Sequence, residues 1–234
     1  MIKSNIKISL KNINLEINEN KLFENLSSEI LGSGISVILG PNGSGKTMLL
    51  KIINGIIKPN SGKINLKKRN NKLSISYASQ KIIMLRRNVY ENLRFALSIK
   101  RLEKKIIHQR ILYLLKFFEL EDKINFSARK LSAGKKQYLS IIRALSLDSD
   151  IILLDEPCSN LDHRSTRKIE EFIINEKKRG KKLIIVTHDI FQAKRLADEI
   201  IFLRNGKIIS QTSKKNFFLS NNSMVKKFVE GKLI

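Results

Sequence analysis

The chain has 234 residues, 42% of them hydrophobic, enough to bury a full core and most simply one α/β domain. Its single cysteine, Cys158, can form neither an internal disulfide nor a multi-thiol zinc site, which excludes a disulfide scaffold and fits a reducing compartment. The formal net charge of +24 comes from lysines and arginines scattered through the whole chain, a compositional habit and not a nucleic-acid patch.

No stretch approaches the roughly 18 uninterrupted apolar residues of a membrane span, and residues 1–7 contain no apolar export segment. The expectation is a cytosolic chain. Residues 5–39 carry short apolar runs (Ile6, Ile8, Leu10; Ile13, Leu15, Ile17; Leu22, Phe23, Leu26) broken by Asn and Gly, and read as strands and hairpins. The apolar run 35–39 then meets Gly40-Pro41-Asn42-Gly43-Ser44-Gly45-Lys46-Thr47, which satisfies G-x-x-x-x-G-K-[ST]. Its glycines let successive N–H groups converge on phosphates, Lys46 supplies charge to the β and γ phosphates, and Thr47 offers a hydroxyl to Mg²⁺. Residues 48–53 have helical apolar spacing, so a helix N-terminus faces the same anion.

After a turn around Pro59-Asn60-Ser61-Gly62, the runs 63–66 and 73–78 read as a strand pair, the second ending near Gln80. From Asn88 to Phe118 the period turns helical, so a helical insert interrupts the sheet. The runs 150–154 and 182–186 read as buried parallel strands joined by an amphipathic crossover helix over 165–178. The first of these ends in Asp155-Glu156, at the strand tip where ligands of an open parallel sheet collect. Asp155 there suits Mg²⁺, directly or through water, and Glu156 suits proton removal from an attacking water. His188 follows the second strand, where a neutral imidazole can hydrogen-bond a transferred phosphoryl group, and Gln80 can reach the metal or its water.

Together these residues resemble the nucleotide-binding subunit of an ABC transporter over essentially the whole chain. Leu131-Ser132-Ala133-Gly134-Lys135-Lys136-Gln137 is similar to the family's Leu-Ser-Gly-Gly-Gln signature, with Ala133 and Lys135 in place of Gly and Gln. Ser159-Asn160-Leu161-Asp162 resembles the loop that crosses the family's dimer interface, and Gln80 and His188 fall at its glutamine and histidine switches. The resemblance implies a P-loop NTPase fold, α/β, with a mostly parallel sheet core, an N-terminal antiparallel β subdomain and an inserted α-helical subdomain. The expected division is one domain over 1–234, with 1–87 and 148–234 as the core and about 88–147 as the helical subdomain.

It further implies an ATPase that uses ATP and Mg²⁺, with Gly40 to Thr47 of one chain and Ser132, Ala133 and Gly134 of a second copy sandwiching the nucleotide. The partners implied are that second copy, transmembrane permease subunits and a solute-binding protein, at the cytoplasmic face of the membrane. Ile17 stands where the family commonly stacks an aromatic ring on adenine; Phe23, the nearest ring, is expected in the core. Met48 and Cys158 replace common threonines. The segments 84–93 and 187–199, and the tail from Phe217 to Gly231, are similar to ATPases of oxyanion importers, tungstate systems above all, with molybdate and phosphate systems as neighbours, while an ATPase for haem or lipid export would share the same catalytic motifs. A nucleic-acid or ribosome ATPase of the same family is disfavoured, since the chain has no long heptad insert and no second copy of the motifs.

Overall fold

The structure is a computed structural model and describes residues 6–68, 73–100, 102–159 and 161–232. Strands β1 (Ile6–Ile17) and β2 (Asn20–Leu31) form a hairpin. Its two-residue turn places Asn18 and Glu19 at φ of 49° and 65°, the left-handed pair that matches strand twist. β3 (Gly34–Leu39) is buried along its whole length, as a strand covered on both faces must be, and leads through the loop 40–45 into α1 (Lys46–Ile53). β4 (Ser61–Lys68) returns antiparallel to β1, giving a three-stranded sheet ordered β2-β1-β4.

The next strand, β5 (Ile75–Ala78), joins a different sheet. The sequence reading of 63–66 and 73–78 as a mutual pair is therefore corrected. β4 alternates exposed and half-buried positions and pairs with β1, whereas β5 finds its ladder beside β6 (Ile151–Asp155), in parallel. Asp150 marks the crossing. Its carboxylate accepts from Lys68 Nζ at the end of β4 and from the backbone and hydroxyl of Ser74, which holds its pKa down at about 2 although partial burial pushes the other way.

The insert holds α2 (Val89–Ser98) and α3 (Lys104–Phe117), which follow the helical period expected over 88–118, and beyond it α4 (Ala133–Ser146). Val89, Leu93, Leu97, Ile107, Ile111, Leu114 and Leu139 pack together, and Phe118 bridges to Tyr138 and Phe172 in an aromatic cluster. Asn88 caps α2 by accepting from Glu91 N at 2.7 Å. The chain then returns to the sheet through β6, α5 (His163–Lys178), β7 (Lys182–Thr187) and α6 (Ile190–Leu196). β8 (Glu199–Arg204), β9 (Lys207–Ser213) and the short helices α7 (Lys214–Phe218) and α8 (Ser223–Val229) follow. The second sheet is ordered β5-β6-β7-β3-β8-β9, parallel except for the last hairpin.

That hairpin escaped the sequence reading although its signal was present: Asn205-Gly206 between two apolar runs, both at positive φ (47° and 70°). Alternate residues of β3 serve two cores. Ile35, Val37 and Leu39 face the helical layer, while Ile38 faces the antiparallel sheet and α1. Each fully buried aliphatic side chain of this kind contributes about 1.5–3 kcal/mol. Among the described residues no helix is long and apolar enough to cross a membrane. The parallel register sets Leu39 beside Thr187 and Asp155 beside Val186, so β3, β6 and β7 end on one edge.

Candidate active site

The loop at that edge is shaped by what surrounds it. Gly45 takes φ 99°, and a Cβ there would meet the Phe23 ring at 2.8 Å, so Phe23, 1% exposed, is the floor under the loop and a core residue as expected. A Cβ on Gly40 would lie 2.0 Å from the Leu203 carbonyl oxygen, and Gly206 N donates to Ser44 O at 3.2 Å. The loop is thus pressed between β2 and the β8–β9 hairpin. Lys46 is buried, and its Nζ donates to Gly40 O at 2.9 Å and Pro41 O at 2.8 Å. Burial lowers its pKa, while Glu156 and Asp155 counter by favouring the ammonium. Ser44 Oγ is also buried and has no hydrogen-bond partner among the described residues, a free donor inside the loop.

Asp155, at the tip of β6, is gripped from two sides. Thr47 Oγ1 donates to Oδ1 at 3.0 Å and Tyr77 OH donates to Oδ2 at 3.2 Å. Burial raises the Asp155 pKa, and those two bonds pull it back. Glu156 takes a left-handed backbone, φ 49°, costing on the order of 1 kcal/mol for a residue with a Cβ. Its amide donates to Val186 O at 2.9 Å, Ser159 Oγ donates to its carbonyl at 3.0 Å, and Gln137 Nε2 of α4 donates to the next carbonyl, Pro157 O, at 3.1 Å. The Glu156 side chain, nearly buried, meets His188 Nδ1 through Oε1 at 2.8 Å.

A cavity of about 440 Å³ opens over this edge, with Asn42, Gly43, Gly45, Lys46, Thr47, Gln80, Glu156 and His188 in its wall. Gly40, Pro41 and Asp155 stand outside that wall, as support for Lys46 and Thr47, and Ser44 also lies outside it. Ser132, Ala133 and Gly134 are not brought here. They open α4 on the insert, where Ser132 caps the helix by accepting from Lys135 N at 3.4 Å and both Ser132 and Ala133 are exposed. Asn160 lies outside the described residues; Leu161 approaches Gly134 and Asp162 caps α5.

Leu22, Met48, Val186 and Tyr77 were not foreseen as wall or support residues. Leu22, with Met48, supplies the apolar lining beside the loop, while Ile17, at the position where an adenine-stacking ring was expected, is absent from the wall. Tyr77 could have been found only from the β5-β6 adjacency, which no local pattern encodes. Cys158, whose thiol burial pushes up to about 12, is chemically quiet.

Residues 23–159 match the ABC transporter family, more than half of the chain. The chain belongs to that family, as an ATP-binding subunit. It is 32% identical to the methionine import ATP-binding protein of Lactobacillus johnsonii over 97% of this chain and 70% of that one. It is 35% identical to the tungstate uptake system ATP-binding protein of Peptoclostridium acidaminophilum over 74% of this chain and 83% of that one. A dimeric ATP-binding cassette solved in a post-hydrolysis state with ADP and Pi superposes with a TM-score of 0.78 at 28% identity, covering 88% of this chain and 98% of that one. As an ATPase of this family, the chain converts ATP and water to ADP and phosphate.

The donor set also suits magnesium. The Thr47 hydroxyl and Asp155 carboxylate are hard oxygen ligands side by side, and Mg²⁺ is usually held by one or two such groups together with substrate phosphates.

Proposed function

We propose that this chain is the ATP-hydrolysing subunit of an importer for an oxyanion such as tungstate. It works as a pair of copies docked on transmembrane permease subunits at the cytoplasmic face of the membrane, supplied by a solute-binding protein. We further assign it a single domain, with about 88–147 as a helical subdomain carrying the signature residues. The observation that carries the catalytic part is the Glu156–His188 contact at the mouth of a cavity that also exposes Lys46 and Thr47.

In this reading the backbone N–H groups of the loop Gly40 to Thr47, all but Pro41, bind the phosphates, with Lys46 turned from its own loop carbonyls onto the β and γ oxygens. Thr47 and Asp155, with Gln80 nearby, would hold magnesium, which would supply neutralisation of the phosphate charge. Glu156 accepts the proton of the attacking water, and the Nδ1–H of His188 orients its carboxylate. Ser132, Ala133 and Gly134 offer a capped helix N-terminus, exposed and away from their own cavity, to the nucleotide of the second copy. The copy-to-copy arrangement draws support from the dimeric cassette at 28% identity.

The solute assignment draws support from the tungstate relative, and a second reading, methionine import, from the relative that spans nearly all of this chain. The deciding measurement is ATP turnover of the complex with its copurified permease and binding protein. Stimulation by tungstate or molybdate supports the proposal, and stimulation by methionine alone overturns it.

A further inference from the structure

Asp155 has two carboxylate oxygens and two hydrogen-bond donors, and they come from different elements. Thr47 belongs to the start of α1 and takes Oδ1; Tyr77 belongs to β5 and takes Oδ2. The register explains why Tyr77 can reach. It stands beside Leu153 in the parallel ladder, and Asp155, two residues further along β6, shares the face of Leu153, so a long ring leaning along the strand brings its hydroxyl to the carboxylate. Tyr77 and Leu153 pack in the same core as α1, the helix that carries Thr47. Rotation of the carboxylate is therefore stopped at Oδ2, which leaves Oδ1 aimed at the Thr47 hydroxyl.

We propose that Tyr77 is a positioning residue for the magnesium of the Mg-ATP complex: its hydroxyl pins Asp155 Oδ2 so that the other oxygen and Thr47 present one preformed oxygen pair to the cation. This rests on the assignment of Asp155 as the magnesium carboxylate. Partners that fix ligand orientation in this way typically contribute about tenfold to a hundredfold in metal affinity. Because β5 runs on directly toward Gln80, the same strand that holds the carboxylate also sets the origin of the segment bearing that glutamine.

Tyr77→Phe removes the hydroxyl and leaves the ring in place, so the test need not disturb the core. Binding of a fluorescent ATP analogue to the full chain is followed while Mg²⁺ or Mn²⁺ is titrated in, alongside the same measurement in EDTA. The expected result is a midpoint at least about tenfold higher in metal for Tyr77→Phe, with metal-free nucleotide affinity and melting temperature near those of the unaltered chain. The Mn²⁺ electron paramagnetic resonance spectrum of the ternary complex should change in line shape. An unchanged metal midpoint and spectrum overturn the role of Tyr77, as does a loss of nucleotide affinity equal with and without metal. Asp155→Asn run in parallel separates the levels: if it too leaves the metal midpoint unmoved, the assignment of Asp155 fails, whereas a shift in Asp155→Asn without one in Tyr77→Phe rejects only the tyrosine.

Discussion

The phosphate loop and the signature tip are both helix N-termini, yet they are built in opposite ways. Around α1 the chain surrounds the loop with buried groups: Phe23 below, Leu203 and Gly206 beside, Lys46 clamped to two carbonyls, Asp155 held twice. Around α4 it leaves Ser132 and Ala133 exposed, with one long capping bond of 3.4 Å. A site organised in advance loses little entropy on meeting its ligand, whereas an exposed tip has to be completed by something outside the chain. In the proposed pair of copies, the phosphate loop is a preformed cradle for the chain's own nucleotide and the signature an open tip offered to the nucleotide of the other copy.

Variants can break that contrast at graded cost. The largest effect is expected from Glu156→Gln, which keeps the shape but cannot accept the proton: turnover should fall by about 10²–10⁴-fold while ATP still binds, and sedimentation should detect a long-lived ATP-bound dimer. An unaltered ATPase rate would refute the assignment of Glu156 as base. Lys46→Ala comes next. Removing a buried charge that faces phosphate should cost about 2–5 kcal/mol of ATP affinity, read directly by equilibrium binding, and the variant should not dimerise with ATP. Ser132→Ala sharpens the comparison from the other side. It should lower stability by about 1 kcal/mol through the lost cap and reduce turnover, yet leave ATP affinity of the separate chain intact. If affinity dropped instead, the signature tip would belong to its own chain's site.

The smallest effect concerns acid. Asp150 has its folded pKa pulled from 3.8 down to about 2, so its stabilisation is complete above about pH 4 and is lost as pH falls towards 2. Lys68→Ala should flatten that part of the stability profile in chemical unfolding measured between those values, without changing nucleotide binding near neutrality.

Local chemistry explains which parts were legible beforehand. The glycine loop, the acid pair and His188 each sit directly after an apolar run, so strand ends alone bring Lys46, Thr47, Glu156 and His188 to one cavity. Within the helical insert, α2 and α3 were legible from periodicity because each buries one stripe, whereas α4, buried at every position from Gln137 to Ile142, was legible only through the motif that opens it. Sheet order was not. Which neighbour β4 and β5 choose depends on pairing across more than 50 residues, as between Lys11 and Lys63 or Ala78 and Leu154, and nothing in the strands themselves states it. The same ignorance hid Tyr77. Asn205-Gly206 is a different kind of miss, since the turn signal was there to be read. The wall made by Leu22 and Met48 was obscured by expecting a ring at Ile17.

The brace from Gly206 N to Ser44 O, and the close approach of the Leu203 carbonyl to Gly40, tie a loop near the beginning of the chain to a hairpin near its end. A nascent polypeptide emerging from the ribosome therefore carries the glycine motif long before it owns the buttress that shapes it. The loop takes the shape described here only after β8 and β9 have been synthesised and folded back against it.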